Sequence, residues 1–268
     1  MALLKGVHTI YTVMPGDTLY SIAARFGSAI QLLEQTNALF PPVTDPGLIY
    51  PGQVLVVPEA GLQQRDVVHY LIAPGDTLYA IGLRFSATPD VLVGLNPQIQ
   101  NANVIYAGTT LAVPAAIYEV EAGQTLYGIS RSLGIPLREL VSANRRRPGF
   151  SPDVLYPGYR LIVPLPSSAN IVVLRPLPGS RIAPGQVVEG VARAFEATIQ
   201  YRIIDDNGLQ VTRERTITTT AGAPAFGTFS TTIQFDRQPG TGTGELWVYE
   251  RSARDGSIIN LVQVKVAF

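Results

Sequence analysis

The chain of 268 residues contains no cysteine. Disulfides are therefore excluded, as are thiol peptidases and cysteine-dependent transpeptidases. Histidine is nearly absent too. His8 and His69 lack metal-ligand spacing, so a histidine-rich zinc hydrolase is not expected, and no metal or cofactor is assigned. Excess charge of either sign is missing. Basic and acidic residues number 20 each, divided 10 to 11 over residues 1–165 and 10 to 9 beyond. No net field draws the chain to nucleic acid or an anionic membrane, and a neutral or mixed partner is expected. Long apolar runs are lacking as well. The opening Met1-Ala2-Leu3-Leu4-Lys5-Gly6-Val7-His8 has no secretion-signal core, and no segment could span a membrane.

What the chain does contain is one passage written three times: Pro15-Gly16-Asp17-Thr18-Leu19-Tyr20, Pro74-Gly75-Asp76-Thr77-Leu78-Tyr79 and Ala122-Gly123-Gln124-Thr125-Leu126-Tyr127. Counted from each glycine, Leu falls at +3, Ile at +6, Phe or Leu at +10, and Asn (Asn37, Asn96, Asn144) at +21. Each copy closes with Tyr-x-Gly and a later proline: Tyr50/Gly52/Pro58, Tyr106/Gly108/Pro114 and Tyr156/Gly158/Pro164. Repetition of this kind points to binding by copies of a small module rather than to single-site catalysis.

Each copy reads as strand, helix, helix, strand. Thr9-Ile10-Tyr11-Thr12-Val13 alternates as a half-buried strand does, and Pro15-Gly16 breaks it. Asp17 or Thr18 can cap the first helix. Leu19, Ile22 and Phe26 then share a helical face, as do Leu78/Ile81/Phe85 and Leu126/Ile129/Leu133. A second helix starts at Thr88-Pro89-Asp90 in copy two and near Pro136 in copy three, with Ser28 as the cap in copy one; the Asn ends it. The closing strands contain Val54-Leu55-Val56-Val57, Leu111-Ala112-Val113 and Leu161-Ile162-Val163. Antiparallel pairing of first and last strands sets the Gly-Asp-Thr-Leu-Tyr loop against the Asn…Tyr-x-Gly loop, which makes a shallow groove rich in backbone N–H and C=O groups. The copies are spaced unevenly: 59 residues separate Gly16 from Gly75 and 48 separate Gly75 from Gly123, the excess falling at residues 59–66. Separate beads are expected instead of a solenoid.

These motifs, quoted best as Pro-Gly-Asp-Thr-Leu-Tyr-Ser-Ile-Ala at 15–23 with Tyr-Pro-Gly-Gln…Val-Pro at 50–58, resemble the LysM domain over residues 8–58, 68–114 and 117–164. The resemblance implies a βααβ fold and binding of glycans containing N-acetylglucosamine, peptidoglycan or chitin, between the two loops. The expected glycan-binding residues are Gly16, Asp17, Thr18, Leu19, Tyr20, Ile49 and Tyr50 in copy one; Gly75, Asp76, Thr77, Leu78, Tyr79, Ile105 and Tyr106 in copy two; and Gly123, Gln124, Thr125, Leu126, Tyr127, Leu155 and Tyr156 in copy three. Backbone bonds from paired turns suit the acetamido group, and Ile49 or Tyr50 can receive its methyl. Copy three carries Gln124 in place of Asp, so copies one and two are expected to bind better.

After a linker at 164–170 the period changes to two. Candidate strands are 171–175, 186–193, 198–204, 209–218, 227–235, 245–251 and 258–267. Seven strands in residues 170–268 suggest an all-β immunoglobulin-like sandwich without a disulfide. This stretch is similar to the immunoglobulin-like domain of bacterial spore-germination proteins, often called Gmad2, through Pro176-Leu177-Pro178-Gly179, Val188-Glu189-Gly190-Val191 and Gly227-Thr228-Phe229. The fold class is thus multidomain, three α+β modules and one sandwich.

No enzyme is expected. Asp205-Asp206 reads as a turn, Phe195-Glu196 as a packed aromatic beside a solvated carboxylate, and Arg145-Arg146-Arg147 as a solvated loop, with binding of wall anions as its alternative. The partners implied are peptidoglycan or a chitin-like glycan, and a spore-envelope protein at the sandwich. The expected location is a bacterial cell wall or spore envelope, reached without a recognisable signal peptide. The alternative is a spore coat or cortex assembly protein acting through protein contacts.

Overall fold

The computed structural model describes residues 3–45, 47–59 and 67–268. A short strand β1 (Leu3–Leu4) precedes module one, which runs β2 (Val7–Thr12), α1 (Leu19–Phe26), α2 (Ile30–Asn37) and β3 (Val54–Pro58). Module two repeats this order with β4 (Val67–Leu71), α3 (Leu78–Phe85), α4 (Pro89–Leu95) and β5 (Thr110–Val113). Module three has β6 (Ala115–Glu119), α5 (Leu126–Leu133), α6 (Leu137–Asn144) and β7 (Arg160–Pro164).

Helices this short are marginal alone, and packing on the strands holds them. The first helix of each module is capped by threonine, Thr18, Thr77 or Thr125, and not by the preceding Asp or Gln. Thr88 caps α4 as expected. Ser28 does not cap α2: Ala29 stands there, and the Ser28 hydroxyl is buried without a partner.

The asparagine at the end of each second helix does more than stop it. Asn37, Asn96 and Asn144 are buried. The Asn37 amide donates to Leu33 O and Val56 O, both at 2.9 Å, and its Oδ1 accepts from Val56 N at 2.8 Å. Asn96 and Asn144 treat Ala112 and Ile162 in the same way. Each side chain thus acts as one rung of a β-ladder and ties the helix to the closing strand.

The modules are not separate beads. β2 pairs with β4 in parallel, which makes one sheet of order β3-β2-β4-β5 across modules one and two. β1 pairs antiparallel with β6, giving β1-β6-β7. A lone two-stranded sheet is marginal, and these pairings enlarge each sheet and cover the edges of β2, β4 and β6. One apolar cluster accordingly joins Ile10 and Val56 of module one, Tyr70 and Phe85 of module two, and Ile117 and Ile162 of module three. Of the excess spacing at residues 59–66, Glu59 continues the strand by donating its backbone N–H to Val7 O, and residues 60–66 lie outside the described residues.

Arg147 also departs from expectation. It is only 4% exposed. Its guanidinium reaches from module three to Thr36 O at 3.3 Å and Asn37 Oδ1 at 3.1 Å in module one, and lies over the Tyr159 ring. Arg145 and Arg146 do face solvent.

All seven expected C-terminal strands form: β8 (Ile171–Arg175), β9 (Val187–Ala192), β10 (Thr198–Asp205), β11 (Gln210–Thr218), β12 (Gly227–Thr232), β13 (Thr243–Arg251) and β14 (Ile258–Ala267). They make sheets of order β11-β10-β13-β14 and β12-β9-β8 around Val173, Ile199, Tyr201 and Val264. Val91 of module two packs on Val172 and Val191, and Arg193 pairs with Asp90 at 2.9 Å, so the sandwich is docked on module two.

Candidate functional site

The two loops of each module lie side by side, held by the strands that lead into them. In module one, Gly52 N donates to Val13 O at 2.8 Å and Val13 N to Gln53 O at 2.8 Å. Gly108 with Ile72, and Gly158 with Val120, repeat the first bond in the other modules. The parallel β2–β4 pairing further sends the first loops of modules one and two out at the same end of their shared sheet.

Within the first loop, most recurring side chains are committed to the scaffold. Gly16, Gly75 and Gly123 sit at φ 89°, 85° and 79°, a region that side chains disfavour. The Asp17 carboxylate accepts from Met14 N at 2.7 Å and from the Tyr11 hydroxyl at 2.6 Å. Asp76 does the same with Ala73 N and Tyr70. Gln124 takes this place in module three, accepting from Glu121 N at 3.0 Å and bonding the Tyr118 hydroxyl. The exchange of Asp for Gln therefore changes a brace inside the turn, not a group aimed at a ligand. Burial first, and then the bond to the carboxylate, push the Tyr11 and Tyr70 phenols up to about 12. Burial also raises Tyr118, while its bond to Gln124 pulls it back.

Thr18, Thr77 and Thr125 spend a lone pair on helix capping. Leu19, Leu78 and Leu126 are buried in the module cores, so these three can offer a ligand only backbone atoms. Tyr20, Tyr79 and Tyr127 are instead 74%, 66% and 59% exposed. On the second loop Tyr50 and Tyr106 are exposed, whereas Tyr156, Ile49, Ile105 and Leu155 are half-buried. Beside the second loop of module two a cavity of about 400 Å³ opens, lined by Ile72, Ile99, Val104, Ile105, Tyr106 and Thr109 among others. The arrangement offers aromatic faces, half-buried apolar side chains and turn backbone, with no pair of free carboxylates on the first loop.

Elsewhere, Asp205 is buried and accepts from Asn207 N, Leu209 N and Gly240 N at 2.8–3.0 Å, while Asp206 pairs with Lys265, as a braced turn requires. Phe195 is 58% exposed and is not the packed aromatic the sequence suggests; Glu196 beside it takes a left-handed backbone at φ 53°. His8 is buried on β2, and no cluster of His, Asp and Glu suited to a metal occurs among the described residues. The sequence reading missed the tyrosines that brace the turns and the arginines between modules. Tyr11, Tyr70 and Tyr118 were findable, since each stands six residues before the Asp or Gln it holds.

Comparison with known proteins agrees with this architecture. The LysM domain model matches residues 11–58, 70–114 and 118–164, and that for the immunoglobulin-like domain of bacterial spore germination matches 170–257. The chain is 34% identical over 95 residues to the putative sporulation-specific glycosylase YdhD of Bacillus subtilis, covering 35% of this chain and 21% of that protein. It is 28% identical over 181 residues to the secreted LysM effector ECP6 of Passalora fulva, covering 58% and 76%. Among solved structures, the spore cortex-lytic enzyme SleL of Bacillus cereus aligns at 29% identity with a TM-score of 0.29, over 42% of this chain and 23% of that one. The chain thus spans only about a fifth of either bacterial enzyme, and no helix among its described residues is long and apolar enough to cross a membrane. The chain belongs to the LysM family, with three LysM domains followed by an immunoglobulin-like domain of the spore-germination type.

Proposed function

We infer that the protein is a non-catalytic binder of glycans containing N-acetylglucosamine, anchored through its LysM modules to peptidoglycan of a bacterial wall or spore envelope. The observation that carries this reading is the pair of adjoining loops repeated in three LysM modules, each with an exposed tyrosine at the start of its first helix. An acetamido group supplies one N–H, one C=O and a methyl. Turn backbone meets the first two, and Ile49, Ile105 or Leu155 meets the third, while Tyr20, Tyr79 and Tyr127 stack on sugar faces. Each hydrogen bond adds only about 0.5–1.5 kcal/mol net, so a single module binds weakly. Modules one and two open at one end of a shared sheet, so one polymer can engage both, and avidity multiplies affinity by roughly 10²–10⁴. In this reading the sandwich, docked on module two, offers its remaining surface to an envelope protein.

Co-sedimentation with insoluble peptidoglycan and with chitin tests this reading. Retention by at least one polymer, reduced about tenfold in affinity by Tyr20→Ala with Tyr79→Ala, is expected. Full recovery of the wild-type protein in the supernatant with both polymers would refute it.

A further inference from the structure

A second cavity, also of about 400 Å³, lies where the three modules meet. Module two contributes Asp76, Tyr70 and Arg84 to its lining, and module three contributes Ser142, Arg145 and Arg146. Arg84, Arg145 and Arg146 are not among the basic side chains of the described residues that pair with Asp or Glu. Arg84 donates to two backbone carbonyls, Ala143 O at 3.1 Å and Arg145 O at 3.2 Å, which fixes its position without neutralising it. The one acidic residue of the lining, Asp76, is held by the Tyr70 hydroxyl and Ala73 N. Burial lowers the pKa of Arg84, and the nearby charges of Arg146 and Arg147 lower it further, against an opposing pull from Tyr70 and Asp76. The cavity therefore carries positive charge in excess, three arginines against one carboxylate, in a chain whose total charge is zero.

We propose that this inter-module cavity binds a carboxylate carried on the glycan held in the neighbouring grooves, and so makes the protein prefer acidic peptidoglycan to neutral chitin. The cavity is continuous with the first loop of module two, since Ala73, Pro74 and Asp76 line it. A polymer seated in that loop brings its substituents there. The volume suits a group the size of a lactyl ether or short peptide rather than a bare ion. Guanidinium groups favour carboxylates through paired, charge-assisted hydrogen bonds, and partial burial shields these bonds from solvent screening. The site rests on the glycan-binding function proposed above and adds its selectivity.

The test uses the full chain and the double variant Arg145→Gln with Arg146→Asn. Both side chains are exposed, and Asn tolerates the left-handed backbone at position 146 (φ 65°). Three polymers serve as probes: peptidoglycan stripped of wall phosphate by acid, the same material with its carboxyls amidated, and chitin. The wild type should bind the stripped peptidoglycan about tenfold more tightly than the amidated form, and the variant should bind both alike, with chitin binding unchanged. Equal wild-type binding to stripped and amidated peptidoglycan would overturn the site while leaving glycan binding intact. So would an equal loss on chitin in the variant. Failure to bind any of the three polymers would overturn the glycan reading, and this site with it.

Discussion

Modules one and two differ from module three in how they are joined and in how their first loops are braced. The first two share a sheet through parallel β2 and β4, and each braces its loop with a carboxylate, Asp17 or Asp76. Module three is held by β1, by the buried Arg147 and by apolar contacts, and it braces its loop with the neutral Gln124. The same backbone turn survives both braces. What the motif preserves is thus an acceptor for one backbone N–H and a partner for one tyrosine hydroxyl, not a negative charge at a ligand site.

The asparagine rung is common to all three modules and marks the limit of the difference. Asn144→Ala leaves Ile162 N and O without their partner in the core and should cost about 4 kcal/mol by denaturant unfolding, with a similar cost for Asn37→Ala. A much smaller loss at Asn144 would mean that module three folds by other contacts. Arg147→Ala should cost about 2–3 kcal/mol and expose the junction of modules one and three to limited proteolysis. An unchanged cleavage pattern would show that β1, the apolar contacts and the Arg160–Thr36 bond suffice to join them. Asp76→Ala should cost about 1–2 kcal/mol because Ala73 N and the Tyr70 hydroxyl lose their acceptor.

Alkaline unfolding separates the two kinds of brace. Tyr11 and Tyr70 are raised from 10.0 to about 12, so the folded chain holds these protons more tightly than the unfolded chain. Their stabilisation is complete below pH 10 and is lost as the pH climbs through 12. Phe at either position should flatten the decline between pH 10 and 12, followed by circular dichroism, more than Tyr118→Phe does. The smallest effect belongs to Gln124→Glu, which keeps the acceptor and should change stability by less than about 0.5 kcal/mol. A loss as large as that of Asp76→Ala would show that the neutral brace is required in module three.

Much of this was legible in the sequence because it is local. Leu19, Ile22 and their counterparts lie on one face of a helix whose period the sequence displays, and the C-terminal strands alternate visibly between turn residues. The capping threonine was one of two adjacent candidates, and bond geometry chose between them. Other features resisted because they depend on partners far along the chain. Arg147 reads as the end of a charged loop until Thr36 and Asn37, more than a hundred residues earlier, are brought against it. Leu19, Leu78 and Leu126 belong to the loop by position and to the core by burial.

Local sequence pattern alone determined the strand-helix-helix-strand order of each module, the meeting of its two loops, and the change to a β-sandwich beyond residue 170. These follow from short-range periodicity, turn chemistry and the requirement that a strand find a partner. Only the tertiary structure decided that the modules form one body, that the recurring Asp and Thr serve the turn, and that arginines from two modules meet at one cavity. Edge pairing and the burial of a charge depend on which surfaces come together, and a local sequence pattern carries no record of that.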